Sequence, residues 1–205
     1  MSMKIRDMKQ AAVLLGQEWN LGKRESGATG SICAWIYLMD ILKTTEYMEV
    51  FKLDGRLIGF CGYSNVHSRK HLVERTLYSW VEQMLFRSRK IKDKNSLREY
   101  YDNYDYLPEE MCTHFDGEIT ILIVSSEFRS KGIGKYLLSK VFEKAAGDGM
   151  KNLMILSDES CSYRFYESMG CVKVYETVVE NQEHEKLGTS CLEKAFVYQI
   201  CLKPP

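Results

Sequence analysis

A short glycine-containing segment, Arg129–Gly134, carries the clearest chemical signal in this sequence. The apolar run Ile119–Val124 before it predicts a buried strand, and apolar residues at three- and four-residue spacing after it predict an amphipathic helix. A turn between such elements exposes unpaired N–H groups at the positive end of the helix dipole, where phosphate binds favourably. Gly132 and Gly134 let a ligand approach the backbone closely, and positive charge comes from Arg129, Lys131 and Lys135. The segment therefore predicts a site for the diphosphate of a nucleotide-like cofactor.

Two other phosphate-binding motifs are excluded by single residues. The Walker pattern ends in Gly-Lys-Ser/Thr, whereas Lys135 is followed by Tyr136. The dinucleotide fingerprint needs a third glycine or alanine where this chain has Leu137. A glycine pair before a helix can also be an ordinary tight connection, so the surrounding sequence has to decide.

The surroundings of the turn resemble the core motif of the GNAT superfamily, the acyl-CoA-dependent N-acyltransferases. Residues 118–138 follow that motif, and its signature Arg/Gln-x-x-Gly-x-Gly/Ala is met by Arg129, Gly132 and Gly134. The resemblance covers residues 117–178, and more loosely the preceding hairpin and the final strand.

The second motif of the family, a short helix ending in Tyr-x-x-x-Gly-Phe, is resembled by residues 158–171. Tyr166 and Gly170 match it, whereas Cys171 replaces the usual Phe and Glu159 stands where an Asn is common. Two motifs in the expected order and at the expected spacing make the resemblance specific.

The resemblance implies acetyl-CoA as the cosubstrate and a particular set of contacts to it. In the family, the motif strand splays from its neighbour and frees backbone groups that pair with the pantetheine amides, while the turn directs its N–H groups at the diphosphate. On this chain the implied cofactor-binding residues are Leu122, Ile123, Val124, Arg129, Ser130, Lys131, Gly132, Ile133, Gly134 and Lys135.

Acylation of an amine needs a base for the ammonium proton and a donor for the departing thiolate. The resemblance places Tyr166 opposite the cofactor sulfur, as general acid or hydrogen-bond donor; the alternative is a tyrosine that packs a helix on the sheet. Glu118 opens the motif strand, where many family members have a carboxylate that acts as base directly or through water; the alternative is an ordinary carboxylate at a strand start. Cys161 could carry an acyl group, but a small buried residue is the favoured interpretation.

Hydrophobic periodicity predicts the elements that position these residues. The fold class is α/β (α+β): a GNAT-like mixed, largely antiparallel sheet flanked by helices, with a helical insertion between strands 3 and 4. Helices are expected at Lys9–Trp19, Ser31–Leu42 and Ser160–Met169. Strands are expected at Tyr47–Leu53 and Leu57–Tyr63, joined by an Asp54-Gly55 turn, and at Asn152–Leu156, Val172–Val178 and Ala195–Leu202, with a polar connection at 179–192.

The insertion, residues 66–112, is the most individual part of the chain. Its first half, residues 70–90, predicts a helix with a broad apolar stripe suited to core or interface. The basic run Arg87–Lys94 favours a solvated turn. The second half, Leu97–Leu107 with the following Glu109 and Glu110, mixes acids with tyrosines. That composition suits an organic cation, although a surface helix with half-buried tyrosines is the slightly favoured interpretation.

Composition agrees with one compact enzyme domain spanning 1–205. The 205 residues contain 28 lysines and arginines and 28 aspartates and glutamates, so no overall basic field indicates nucleic acid. Seven cysteines without a Cys-x-x-Cys pair suggest thiols in a reducing cytoplasm. No apolar run is long enough to span a membrane, and the histidines lack metal-ligand spacing.

The sequence therefore predicts an N-acetyltransferase that moves an acetyl group from acetyl-CoA to a primary amine of a small molecule or peptide. The alternative is a non-catalytic acyl-CoA-binding regulatory or interaction protein. A nucleic-acid-binding module has only the basic run in its favour. No metal and no membrane partner are expected, and a homodimer is conceivable if the apolar surface around Trp80 stays exposed.

Overall fold

The computed structural model describes residues 3–19, 28–68, 72–89, 91, 114–159, 161–181 and 191–203. The helices are α1 (Ile5–Glu18), α2 (Ala28–Thr44), α3 (Leu72–Phe86), α4 (Ile133–Gly147) and the single-turn α5 (Arg164–Ser168), with a 3₁₀ turn at Ser126–Phe128. The strands are β1 (Tyr47–Leu53), β2 (Arg56–Tyr63), β3 (Gly117–Val124), β4 (Asn152–Asp158), β5 (Val172–Asn181) and β6 (Cys191–Cys201).

The six strands form a mixed sheet in the order β1-β2-β3-β4-β6-β5. Every neighbouring pair is antiparallel except β3 and β4, which are parallel. Asp54 and Gly55 join β1 to β2 with φ angles of 49° and 78°, because a tight hairpin turn of this hand needs two left-handed residues. The predicted fold class is confirmed.

The sheet has a different apolar cluster on each face. Helices α1 and α2 cover one face and pack on residues that include Phe60, Ile121 and Ile123. Helix α4 covers the other face, where Leu137 and Val141 are fully buried. Side chains alternate between faces along a strand, and this alternation sorts the site residues below into two groups.

Several predicted boundaries shift for identifiable reasons. Helix α1 begins at Ile5 rather than Lys9, since Asp7 pairs with Lys52 Nζ at 2.6 Å and ties the first turn to β1. Strands β5 and β6 extend into the predicted polar connection, because cross-strand pairing continues to Asn181 and Cys191. Residues 182–190 of that connection lie outside the described residues.

The predicted helix at Ser160–Met169 is reduced to α5. The Asp158 carboxylate accepts the Cys161 N–H at 3.0 Å and holds the residues before the helix as a turn. Cys161 is therefore exposed, and the expectation that it is a small buried residue is wrong.

Helix α3 begins the insertion, which lies between β2 and β3 rather than between strands 3 and 4 as predicted. The strand count is lower by one because the described residues before Tyr47 fold as α1 and α2 and include no strand. It packs on α2 through Tyr78, Val81 and Leu85, and Lys43 of α2 bonds Glu82 at 2.7 Å. Four other apolar residues of this helix are exposed: Val73, Leu77, Trp80 (at 59%) and Met84. The acidic, tyrosine-rich segment Leu97–Glu110 lies outside the described residues.

No helix among the described residues is both long and apolar enough to cross a membrane.

Candidate active site

Strands β3 and β4 pair only at their starts. Gly117 is level with Leu153 and Glu118 with Met154, and no further pairing between the two strands follows. On its other edge β3 stays paired with β2 as far as Val124. The two parallel strands therefore splay apart beyond Glu118 and leave one edge of β3 open.

The peptide groups of Leu122 and Val124 face this open edge. Ser125 N–H donates to Ile58 O of β2 at 2.8 Å, and peptide directions alternate along an antiparallel strand, so Ile123 also faces β2. The Val124 carbonyl instead accepts a hydrogen bond from Arg129 Nε at 3.3 Å. The sequence predicted backbone contacts to the cofactor from three residues, Leu122, Ile123 and Val124. The peptide groups of Leu122 and Val124 point into the gap, where a ligand could bind them, and that of Ile123 does not.

The turn after β3 curls so that N–H groups gather at the start of α4. Ser130 and Gly132 have left-handed φ angles of 61° and 79°, and the first intrahelical bond runs from Tyr136 N–H to Gly132 O at 2.9 Å. The N–H groups of residues 133–135 precede that bond and have no intrahelical partner. With no acidic residue in the first turn of α4, these N–H groups are suited to bind an anion at the end of the open strand.

The Arg129 side chain is tied to the end of α1. Its guanidinium pairs with Glu18 at 2.5 Å, and Glu18 also accepts the Ser126 N–H at 2.8 Å. The Glu18 side chain is only 8% exposed. Arg129 thus braces the turn against the end of α1, and the positive charge next to the helix start comes from the exposed Lys131 and Lys135.

Sequence reasoning missed Glu18, because nothing in the sequence marks a partner for Arg129 that lies 111 residues earlier.

Gly134 lies where α4 meets α5. A Cβ placed on it would be 3.5 Å from the Phe165 ring and 3.9 Å from the Val124 side chain, both ordinary contacts. The protein itself therefore has room for a small side chain at residue 134. The glycine is left with one evident use, which is to keep the helix start bare for a ligand.

Tyr166 lies in the α4-side cluster, partly buried between Phe165 and Tyr198, whose rings are centred 5.6 and 5.8 Å from its own. Burial is the main cause that raises the pKa of its hydroxyl, and the nearby thiols of Cys61, Cys161 and Cys171 add to it. The phenol therefore stays protonated at neutral pH and can donate a proton or a hydrogen bond.

Glu118 lies at the vertex of the splay. Its N–H donates to Ser64 Oγ at 3.1 Å, and burial raises the pKa of its carboxyl from 4.5 to about 7. Among the described residues its carboxylate has no charged partner. A carboxyl with such a pKa can accept a proton near neutral pH.

The two titratable groups lie on opposite faces of the sheet. The pairing of β3 with β2 shifts by one residue between Ile119 and Ile121, so Ile119, unlike Ile121, packs in the α4-side cluster. The Glu118 side chain, which precedes Ile119, therefore projects to the other face. Met154, level with Glu118, also lies in a cluster on that other face, with Phe115 and Val197. Tyr166 and Glu118 thus lie on different faces of the sheet, with Glu118 at the vertex of the gap.

No group of three or more His, Cys, Asp or Glu side chains that could hold a metal ion occurs in the part of the chain that the structure describes.

The splayed strand pair and the bare start of α4 agree with what the sequence resemblance to acyl-CoA-dependent N-acyltransferases implies, and one comparison of sequences agrees with that resemblance. Residues 96–171 match the profile of the acetyltransferase (GNAT) family. The match covers the segment that contains β3, α4, β4 and α5. No curated protein sequence matches the chain significantly.

Solved structures with the same fold are distant in sequence. An aminoglycoside 6'-N-acetyltransferase complexed with coenzyme A is 13% identical, with a TM-score of 0.57 over 98% of this chain and 94% of that one. Ard1 from Thermoplasma volcanium is 13% identical, with a TM-score of 0.57 over 99% and 96%. The ribosomal-protein-S18-alanine N-acetyltransferase from Escherichia coli is 11% identical, with a TM-score of 0.54 over 100% and 94%. At these identities the likeness concerns the fold.

Proposed function

We propose that this protein transfers an acetyl group from acetyl-CoA directly to a primary amine of a small molecule or peptide. The observation that carries the proposal is the departure of β3 from β4 after Glu118, which opens one strand edge toward the bare start of α4. That geometry suits a ligand with amides along its arm and a diphosphate at its end.

Each part of the gap has a separate task in binding. The peptide groups of Leu122 and Val124 would pair with the pantetheine amides as an added strand edge would. The N–H groups of residues 133–135 would hold the diphosphate, helped by the charge of Lys131 and Lys135. Acetyl-CoA supplies an activated thioester carbonyl at the inner end of the gap.

Proton handling follows from Glu118 and Tyr166, which are both partly buried. Glu118 accepts the proton of the ammonium form, directly or through water, and the freed amine forms a C–N bond at the thioester carbonyl. As the C–S bond breaks, Tyr166 donates a proton or a hydrogen bond to the departing thiolate, and the nitrogen loses its second proton to solvent as the amide forms. Glu118 then releases its proton to solvent, and Tyr166 recovers from solvent any proton that it gave. The products are an acetylated amine and CoA, and no covalent enzyme intermediate is needed.

The acceptor is proposed from the sequence of the insertion. Asp102, Asp105, Glu109 and Glu110 with the neighbouring tyrosines would favour a cationic amine. Two neighbours of the fold, named for aminoglycoside and for ribosomal-protein alanine, are both N-acetyltransferases. Their distance in sequence does not select between a small molecule and a peptide for this chain.

Turnover of acetyl-CoA with a mixed panel of amines tests the proposal. Release of CoA thiol that requires both acetyl-CoA and one class of amine is the expected result. Tight acetyl-CoA binding with no turnover on polyamines, aminoglycosides, amino acids or peptide N-termini would instead indicate a non-catalytic acyl-CoA-binding regulator.

A cytoplasmic location is part of the proposal and rests on cysteine usage. Cys61 and Cys171 are buried free thiols, as expected in a reducing compartment.

A further inference from the structure

Ser157, near the end of β4, has a buried hydroxyl with nothing to bond. The residue is 6% exposed, and within the described part of the chain its Oγ is the buried side-chain polar atom that has no hydrogen-bond partner. Burial of a hydroxyl without a partner costs stability. A buried hydroxyl of this kind needs an explanation, and one explanation is that a bound ligand supplies the missing hydrogen bond.

The Ser157 side chain lies on the Tyr166 face of the sheet. Leu153 and Ile155 of the same strand pack in the α4-side cluster, and the pairing of β4 with β6 continues without a shift from Asn152 to Asp158. Alternation therefore places Ser157 on that face. Its cross-strand partner is Phe196, which belongs to the same cluster, so the hydroxyl has an aromatic neighbour rather than a polar one.

Along the strand, Ser157 lies beside the splay. Gly117 is level with Leu153, four residues before Ser157. Strand β3 has one extra residue between Ile119 and Ile121, so an equal distance along the two parallel strands brings Ser157 to the level of Ile121 and Leu122, next to the open peptide group of Leu122. A ligand arm that enters at α4 and follows β3 inward passes Val124 and Leu122 before it reaches this level. The reactive end of the arm, rather than its diphosphate, would therefore lie at Ser157.

We propose that the Ser157 hydroxyl donates a hydrogen bond to the thioester end of bound acetyl-CoA. The inference rests on the proposed function and adds a residue to it that the family motifs in the sequence do not mark. Ser157 would position the thioester on the α4 side of the gap, across from the approach of the amine at Glu118. In the complex, the Ser157 hydroxyl makes the hydrogen bond that it lacks in the free protein. Ser157 therefore strengthens the binding of the acylated cosubstrate.

The test compares acetyl-CoA with desulfo-CoA, which lacks the sulfur and the acetyl group. In Ser157→Ala, calorimetry should show acetyl-CoA binding weakened about three- to tenfold, the size expected for one hydrogen bond. Desulfo-CoA affinity should stay within about twofold, since only the thioester contact is lost. The ligand-free variant should melt at the same temperature as the parent or higher, because an unpaired buried hydroxyl has been removed.

Ser168→Ala is the matched control. The Ser168 hydroxyl is exposed and donates to Phe165 O at 2.6 Å, so its loss should leave both affinities unchanged. Ser157→Cys keeps the side-chain volume with a weaker donor and should give an intermediate loss for acetyl-CoA alone, which guards against a packing defect in the alanine variant.

Two sets of results separate this inference from the proposed function. Parent protein that binds neither CoA ligand overturns the proposed function, and this inference with it. Parent protein that binds both, with Ser157→Ala unchanged toward both or weakened equally toward both, overturns the role of Ser157 and leaves the proposed function standing.

Discussion

Glu118 and Tyr166 owe their chemical character to burial more than to charged neighbours. Burial raises the pKa of Glu118 to about 7, and it is the largest cause that raises the pKa of Tyr166. The same desolvation therefore makes a carboxyl into a usable base near neutral pH and keeps a phenol protonated. Perturbation of this kind is typical of functional sites, although structural groups also show it.

Tyr166→Phe tests the donor. Because the change removes one hydroxyl and little volume, kcat should fall about ten- to a thousandfold while acetyl-CoA affinity is mostly kept. Steady-state kinetics with calorimetry measures both. Tyr163→Phe, which removes a hydroxyl from the same cluster, should leave kcat nearly unchanged. Equal losses in the two variants would assign Tyr166 to packing.

Glu118→Gln tests the base through the pH dependence of the rate. The parent should gain kcat/KM as pH rises through about 7, where the carboxyl loses its proton. The variant should lack this acid limb and be slower at neutral pH. A variant that retains the same limb would assign the base to another group or to ordered water.

The raised pKa of the Glu118 carboxyl also predicts that the stability of the protein changes with pH. Its folded pKa of about 7 lies above its ordinary value of 4.5, so between these values the folded state binds more protons than the unfolded state. The free energy of unfolding should therefore fall as pH rises through this window, by at most about 3 kcal/mol. Urea denaturation at pH 5 and pH 8 should show this fall in the parent and a smaller one in Glu118→Gln. Parallel curves for the two proteins would mean that Glu118 is not buried in solution.

At the scale of elements, the geometry at the start of α4 follows most directly from neighbouring residues. Left-handed residues at Ser130 and Gly132 turn the chain sharply, and the apolar positions of α4 anchor the helix on the sheet. The three N–H groups before the first intrahelical bond can then point together at an anion.

Replacement of Gly134 tests this element. Gly134→Ala should fold, since its Cβ would meet only ordinary contacts at 3.5 Å or more. Acetyl-CoA binding should weaken about tenfold or more in Gly134→Val, with a smaller loss for alanine, because side-chain atoms would lie between the N–H groups and the diphosphate. Gly147→Ala at the other end of α4 has open space around its Cβ and should keep full affinity. Calorimetry that shows unaltered binding in a folded Gly134→Val protein would contradict the assignment.

At the scale of the molecule, the turn depends on the first helix. Glu18 at the end of α1 bonds both Arg129 and the backbone at Ser126, so a helix distant in sequence holds the ligand-binding turn. The apolar face of α3 around Trp80 stays exposed. A homodimer through it remains a prediction that sedimentation with Trp80→Glu would test.

The insertion carries the prediction for the acceptor. Neutralisation of Asp102 and Asp105 together should raise KM for the amine far more than KM for acetyl-CoA, because an ammonium group would lose its counter-charges. The difference should shrink at high salt, where charge interactions are screened. Steady-state kinetics at two ionic strengths measures it, and equal effects on both substrates would instead indicate damage to the fold.

Periodicity and turn chemistry made most of the fold predictable. The Asp54-Gly55 hairpin, the strand before Arg129 and helix α4 each depend on residues a few positions apart, and the structure confirms them. Ends of elements were less predictable. Asp158 shortens α5 by a side-chain bond, and polar residues of β5 and β6 become strand because they find partners across the ladder.

By itself the sequence determined the kind of site: a glycine-bearing turn at a helix start, preceded by an apolar strand and followed by a tyrosine motif. These are local patterns, and elementary sterics and dipoles dictate what they do. Only the tertiary structure decided which strand edge is open, that Ile123 faces β2, that Arg129 bonds Glu18, and that Ser157 is buried without a partner. Each of these depends on contacts between segments far apart in the chain, and the types and spacing of neighbouring residues do not encode which distant groups will meet.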